Sequence, residues 1–199
     1  MFESIYLNAL VCFLAGSIPF AVVAMWGSGI DIRQVGSGNP GFNNVLRASK
    51  PRAVIALAGD MGKGFLPVWW LLQSGGPQEQ EYVWLYGFAA VFGHCYSPWL
   101  KFNGGKGIAT SAGVMLVLFP QWAALALGFF VVIRLLASRL KWPEAGMIAS
   151  LATWLFFTGL MFLYGESLDM RNAALMTLFL AWRHQQNFRN LFAPRQPDP

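Results

Sequence analysis

Three short polar segments hold the side chains that could do chemistry, and each is built for anions. The first reads Val35-Gly36-Ser37-Gly38-Asn39-Pro40-Gly41-Phe42-Asn43-Asn44-Val45-Leu46-Arg47. Its glycines and Pro40 permit a tight, rigid backbone whose N–H groups can converge on an anion. Ser37, Asn39, Asn43 and Asn44 add neutral donors, and Arg47 adds a permanently charged fork suited to phosphate. A turn-rich connector would explain the glycines and the proline but not the concentration of Asn and Arg. The second segment runs Gly93-His94-Cys95-Tyr96-Ser97-Pro98-Trp99-Leu100-Lys101-Phe102-Asn103-Gly104-Gly105-Lys106-Gly107-Ile108-Ala109-Thr110. Gly104-Gly105-Lys106-Gly107 stand just before an apolar helical run. That order offers backbone N–H groups, a helix N-terminus and a lysine charge to one phosphate. It is not a Walker A loop, because Gly107 follows Lys106 where Ser or Thr is needed. A flexible glycine hinge is the alternative reading. The third segment is Trp182-Arg183-His184-Gln185-Gln186-Asn187-Phe188-Arg189. A helix continuing from the preceding apolar run would put His184 and Asn187 on one face. Snorkelling at a membrane exit accounts for the arginines but not for the His–Asn pair.

Other residue combinations carry less. Asp60 and Lys63 lie three apart inside an apolar run, where charges are costly and face a bundle interior. They read equally as a mutually neutralising structural pair or as a source of positive charge for a phosphate. His94 and Cys95 are adjacent, and neighbouring helical residues do not face each other, which argues against a Cys–His catalytic pair. Gly36-Ser37-Gly38 lacks the spacing of a nucleophile elbow. No metal-ligand set or cofactor motif is recognisable.

The elements that must position these segments are membrane spans. Only 12% of the 199 residues are charged and 56% are hydrophobic, against about 25% charged in soluble domains. The net charge of +5 could suggest nucleic acid, but the basic residues sit in short loops between apolar runs and read as topology signals and anion sites. Apolar runs approach the ~20 residues of a span at about 4–26, 53–73, 82–100, 121–138 and 146–164, with shorter ones at about 108–120 and 171–183. Seven spans with the N-terminus outside place Arg33, Arg47, Lys50, Arg52, Lys101, Lys106, Arg134, Arg139, Lys141, Arg183, Arg189 and Arg195 on the inner side. Glu3, Glu79, Glu81, Glu166 and Asp169 then lie outside with a single basic residue, Arg171. Deleting either short span would strand basic residues outside, so seven spans fit the positive-inside rule best. Eight of the 9 tryptophans fall near run ends, at the expected interface depth. The start, Met1-Phe2-Glu3-Ser4, lacks the basic region of a cleaved signal peptide, so the first run reads as retained. Cys12 and Cys95 form no CxxC, and neither a disulfide framework nor a zinc site is expected. Residues 193–199 read as a frayed tail on one membrane-embedded domain spanning 1–199. The expected class is therefore all-α, polytopic, with the C-terminus cytoplasmic.

Taken together, these residues resemble the PlsY family of bacterial acyl-phosphate-dependent glycerol-3-phosphate acyltransferases. Ser37-Gly38-Asn39-Pro40-Gly41 with Asn44 and Arg47 is similar to the family's first motif. Gly93-His94, Pro98, Phe102, Gly104-Gly105-Lys106-Gly107 and Ala109-Thr110 are similar to the second, and His184 with Asn187 to the third. Asp60, Lys63 and Gly64 match a further D-x-x-K-G pattern, and the likeness runs from Gly16 to about Leu191. It implies an inner-membrane enzyme of seven helices with its site at the cytoplasmic face. That enzyme would acylate the 1-hydroxyl of sn-glycerol 3-phosphate from acyl phosphate, giving lysophosphatidic acid and phosphate for phospholipid synthesis. By the same likeness, Ser37, Arg47, Lys106, His184 and Asn187 are the catalytic set. Gly38, Asn39, Asn43, Asn44, Lys63, Gly104, Gly105 and Gly107 would bind substrate or phosphate. No cofactor, metal or nucleic acid is expected; the partners are the two substrates, membrane lipids and an enzyme that forms acyl phosphate. The chain departs from the family where Phe42-Asn43-Asn44 replace Ala-Thr-Asn, so that Asn43 stands in for a Thr hydroxyl. It departs again at Lys141-Trp142-Pro143-Glu144-Ala145-Gly146-Met147, which replace Ser-Leu-Gly-Ser, and in lacking Gly-Thr-Glu after the third motif.

The chemistry fits that demand. Two phosphorylated substrates bring roughly −1.5 to −2 charges each, and meeting them takes cations and many N–H donors. Phosphate is a good leaving group, so the protein must mainly position the reactants and stabilise charge. Soluble-donor acyltransferases use an H-x-x-x-x-D pair, but Trp99 stands five residues beyond His94 and Arg189 five beyond His184. A thioester donor is therefore disfavoured. The rival reading is a transporter for a phosphorylated solute, which would favour repeated halves and a midplane site; no repeat is visible. A family paralogue without activity is a third reading, kept open by Asn43.

Overall fold

The computed structural model describes residues 2–75 and 77–192, and every regular element among them is helical. The tail expected at 193–199 lies outside the described residues. The helices are α1 (Phe2–Ser17), α2 (Phe20–Met25), α3 (Phe42–Ala48), α4 (Lys50–Ser74), α5 (Pro77–Glu81), α6 (Val83–Cys95), α7 (Ile108–Leu118), α8 (Pro120–Arg139), α9 (Ala145–Tyr164), α10 (Ser167–Arg183) and α11 (Gln185–Phe192). They divide into two compact units, Met1–Ala123 and Ala124–Pro199.

In the first unit the initial apolar run is broken once. Pro19 has no N–H to continue the helix and disfavours helical backbone at Ile18. The carbonyls freed at the break are met by side chains from distant segments. Ser97 Oγ donates to Ser17 O at 2.6 Å, and Lys63 Nζ donates to Ile18 O at 2.7 Å. Trp99 Nε1 reaches Ser17 Oγ at 3.0 Å. At the far end of α2, Arg52 Nη1 donates to Ala24 O at 2.6 Å and Trp26 O at 2.8 Å. A cation thus closes a helix C-terminus, where the dipole favours it.

Small residues let the helices approach backbone to backbone. A Cβ at Gly16 would lie 2.1 Å from Ala90 O, and one at Gly93 would lie 2.1 Å from Phe13 O, which joins α1 to α6. A Cβ at Gly64 would meet Thr110 O at 2.1 Å, and one at Gly113 would meet Met61 O at 2.1 Å, which joins α4 to α7. Close approach through glycine is a main source of helix association where no water drives it. Gly113→Ala must therefore push α7 off α4. It is expected to destabilise the fold by about 1–3 kcal/mol, read as a lower Tm of the purified protein in detergent. An unchanged Tm would contradict the crossing.

In the second unit α9 and α10 pack together through Thr158 and Thr177, whose hydroxyls lie 2.9 Å apart. Thr177 also donates to Ala173 O at 2.9 Å. Phe129 on α8 stacks on Phe156 of α9 at 4.5 Å. A reciprocal capping box between Glu166 and Asp169 starts α10, satisfying two of its orphan donors.

Large apolar side chains face outward on several helices, including Val131, Val132, Leu135 and Leu136 of α8 and Leu155, Phe162 and Leu163 of α9. Such a surface is an aggregation liability in water and the natural one in hydrocarbon. By length and composition three segments suffice to cross a bilayer: Ser4–Met25, Pro120–Arg139 and Ala145–Tyr164; Ile108–Leu118 is a shorter apolar helix. The protein is an integral membrane protein with an all-helical fold.

Candidate active site

The first polar segment is organised around one buried amide. Asn44, on α3, is 1% exposed. Its Nδ2 donates to Ile32 O at 2.9 Å and Val35 O at 2.7 Å. Its Oδ1 accepts from Ser37 N at 3.3 Å and from Arg47 Nη1 at 3.2 Å. Those four bonds use the whole capacity of a carboxamide. Asn44 therefore builds the loop, and its influence on a ligand runs through Ser37 and Arg47. The chain on either side of Ser37 turns through Gly36 (φ 53) and Gly38 (φ 69), a region that glycine enters without steric cost. At Gly36 space also matters, because a Cβ would lie 2.6 Å from Asn44 Oδ1. Asn39 N donates to Ser37 Oγ at 3.4 Å, and Gly41 caps the start of α3. Ser37, Asn43 and Arg47 are exposed. Arg47 thus presents a guanidinium that is anchored on one side and open to solvent. Arg33 is committed elsewhere: its Nε and Nη2 donate to Asp31 at 2.9 and 2.8 Å. That hydrogen-bonded pairing holds the Asp31 carboxyl down at about 2.

The second segment differs from its expected geometry. Gly104 N donates to Cys95 O at 3.1 Å and Gly105 N to His94 O at 3.1 Å. These two N–H groups cap the end of α6 instead of converging on an anion. The glycines are needed because the backbone lies against α6. A Cβ at Gly104 would sit 2.1 Å from His94 O, and one at Gly105 would sit 2.1 Å from His94 Nε2. After this loop come Lys106, half-buried, and the first turn of α7, which starts after Gly107 (φ 88). First-turn N–H groups have no partner within their own helix. Thr110, in that turn, is fully buried, and its Oγ1 has no hydrogen-bond partner among the described residues.

Asp60, Lys63 and His94 form a buried polar cluster beneath this loop. Lys63 Nζ lies 2.8 Å and His94 Nδ1 3.5 Å from Asp60 Oδ1. The Lys63 ammonium is also bonded to Ile18 O and lies over the Phe20 ring at 5.9 Å, contacts of the kind its structural reading expects. It neutralises Asp60 and ties α4 to the break before α2. Cys12 and Cys95 are both buried free thiols.

In the second unit the third segment is not one continued helix. α10 ends at Arg183, His184 has φ −96 and ψ 11, and α11 begins at Gln185. The physical reason is a competing side chain. His184 Nδ1 donates to Leu180 O at 2.7 Å, taking the carbonyl that an unbroken helix would give to the His184 N–H. That N–H turns to Ala181 O at 3.0 Å instead. A carbonyl can only accept, so Nδ1 carries a proton and Nε2 of the neutral ring is an acceptor. His184 is 4% exposed. Asn187 Nδ2 donates to Glu144 Oε2 at 2.6 Å, and Asn190 Nδ2 donates to Glu144 Oε1 at 3.1 Å. Glu144 is not among the residues expected at the site, since it falls in the segment 141–147 where the chain departs from the family it resembles. The available signal was the Asn187, Asn190 spacing, which stacks two amides on one helix face.

Residues 6–194 match the family model described as glycerol-3-phosphate acyltransferase. A glycerol-3-phosphate acyltransferase of Pseudomonas entomophila (strain L48) is 39% identical over 191 residues, covering 94% of this chain and 96% of the relative. One from Pseudomonas paraeruginosa (strain DSM 24068 / PA7) is 40% identical over 199 residues, covering 96% and 98%. Among solved structures, PlsY, an integral membrane glycerol 3-phosphate acyltransferase, is similar in its glycerol 3-phosphate form. The TM-score is 0.84 with 30% identity over 94% of this chain and 92% of that one. The lysophosphatidic acid form of PlsY gives a TM-score of 0.82 with 29% identity over 94% and 91%.

Proposed function

The chain belongs to the glycerol-3-phosphate acyltransferase family, and on that premise we propose that it moves a fatty acyl group from acyl phosphate to the 1-hydroxyl of sn-glycerol 3-phosphate. The hydroxyl oxygen bonds to the acyl carbon, the bond from that carbon to the phosphate oxygen breaks, and the hydroxyl proton ends on phosphate. The products are lysophosphatidic acid and inorganic phosphate. The glycerol 3-phosphate and lysophosphatidic acid forms of PlsY support the acceptor and the product. The donor rests on the absence of an H-x-x-x-x-D pair and on the surplus of cationic and N–H groups over acid–base groups.

The observation that carries the reading is the Ser37–Asn44–Arg47 network. It fixes a guanidinium before any ligand arrives, which is the preorganisation that charge stabilisation needs. Arg47 and Lys106 hold phosphates and stabilise charge as the leaving group departs. Ser37, His184 and Asn187 orient glycerol 3-phosphate. Gly38, Asn39 and Asn43 line the first loop, with Asn43 replacing a hydroxyl donor by an amide. Gly104, Gly105 and Gly107 act by setting the backbone around Lys106. A phosphate oxygen takes the proton, and His184 orients the glycerol rather than receiving that proton.

The whole chain acts as one membrane-embedded domain in the bacterial inner membrane. Seven spans (α1 with α2, then α4, α6, α7, α8, α9 and α10) run from an outer N-terminus to a cytoplasmic C-terminus. That topology leaves the three motifs at the cytoplasmic face, as the basic loops require. An enzyme forming acyl phosphate must supply the donor. Purified protein given labelled glycerol 3-phosphate and acyl phosphate is expected to release one phosphate per lysophosphatidic acid formed. Phosphate release without acylated product would sink the reaction proposed.

A further inference from the structure

Glu144 sits where the chain leaves its family's pattern, yet it makes two of the most specific polar contacts in the second unit. Its backbone has φ 51 and ψ 33 at the start of α9, a conformation uncommon for a residue with a Cβ. Such a backbone persists where its surroundings over-determine it. Here the surroundings are two amides of α11, Asn187 at 2.6 Å and Asn190 at 3.1 Å, one on each carboxylate oxygen. The shorter contact has the length of a charge-assisted hydrogen bond.

We propose that Glu144 is a positioning residue that acts through Asn187 and makes Asn187 a hydroxyl acceptor toward the glycerol end of the substrate. This rests on the acyltransferase reading. An ionised carboxylate only accepts, so Asn187 must turn Nδ2 toward it. Nitrogen and oxygen occupy opposite arms of the carboxamide plane, so fixing Nδ2 fixes where Oδ1 is aimed. With one N–H spent on Glu144, the acceptor Oδ1 has a fixed aim, which suits an alcohol O–H and repels phosphate oxygens. His184 has the same polarity, with Nδ1 committed to Leu180 O and the acceptor at Nε2. The Glu144 charge adds to this selection, because phosphate is repelled from a carboxylate and a neutral hydroxyl is not. The third motif then reads hydroxyls.

The test is a double-mutant cycle on the purified full chain, with Glu144→Ala, Asn187→Ala and the pair. It is measured by turnover and by calorimetric binding of glycerol 3-phosphate. Glu144→Ala is expected to lower kcat/KM for glycerol 3-phosphate by roughly tenfold, with the KM for acyl phosphate unchanged. The double variant should be no worse than Asn187→Ala in glycerol 3-phosphate kinetics, because Glu144 reaches the substrate through that side chain, and Asn190→Ala, which removes the other Glu144 bond, should leave those kinetics near wild type. Glu144→Gln keeps one acceptor oxygen and should recover most of the loss, whereas Glu144→Asp, too short to reach, should not. If Glu144→Ala fails to fold, the Gln and Asp variants carry the same cycle against Asn187→Ala. Losses that multiply in the double variant, or full activity in Glu144→Ala, would overturn the assignment. Coupling in glycerol 3-phosphate binding without turnover of acyl phosphate would overturn the donor and leave Glu144's role standing. A wild type that does not bind glycerol 3-phosphate would overturn both.

Discussion

Arg47→Ala is expected to lower kcat/KM for glycerol 3-phosphate by about 10²–10³-fold, the scale of removing one preorganised charge-stabilising donor. The reason lies in how the side chain is held. Nη1 is bound to Asn44 Oδ1, and Asn44 is locked to two backbone carbonyls. The guanidinium therefore costs little further ordering when phosphate binds. Arg47→Lys should recover little of the loss. A lysine keeps the charge but has no planar fork, so it cannot hold Asn44 and a phosphate at once in the same geometry. Steady-state kinetics with both substrates checks this, and full activity in Arg47→Ala would remove Arg47 from the site.

Lys106→Ala is expected to cost a comparable factor, about 10²-fold, but with a different pattern. Lys106 stands on a backbone pinned by Gly104 and Gly105 to the end of α6, immediately before the first turn of α7. The variant loses the point charge and keeps the helix N-terminus, which still favours an anion. Some phosphate binding should survive, so the loss should appear mostly in kcat. Lys106→Arg keeps a charge on a backbone pinned by Gly104 and Gly105 and should recover more activity here than Arg47→Lys does there, where the fork is needed to hold Asn44. Equal rescue at both positions would contradict the difference in mounting.

Much of the fold was legible because long apolar runs declare helices, three of which are long and apolar enough to cross a membrane. Seven apolar runs match helices α1 with α2, α4, α6, α7, α8, α9 and α10, and Pro19 marks the break within the first. The site was legible as composition and less so as wiring. Asn44 looks like a ligand donor in sequence, and only its partners at Ile32 and Val35 show that its bonds are already made. Gly104 and Gly105 promise an open cradle until their N–H groups are found on Cys95 and His94. Lys63 offers a charge to phosphate, but its ammonium reaches Ile18 O, 45 positions away. Each difference in wiring has one cause. Residue type fixes what a side chain can bond to, whereas the partner is chosen by packing across long sequence separations. Glu144 is the converse case. Its importance comes from Asn187 and Asn190, 43 and 46 positions on; their spacing marks a shared face but does not say which residue meets it.

The central claim is that two phosphorylated substrates meet on this chain and that the donor is acyl phosphate. Labelled glycerol 3-phosphate incubated with purified protein and, separately, acyl phosphate, acyl-CoA and acyl carrier protein thioester tests it most directly. Lysophosphatidic acid is expected from acyl phosphate alone. Product formed from either thioester, or from none of the three donors, would contradict it.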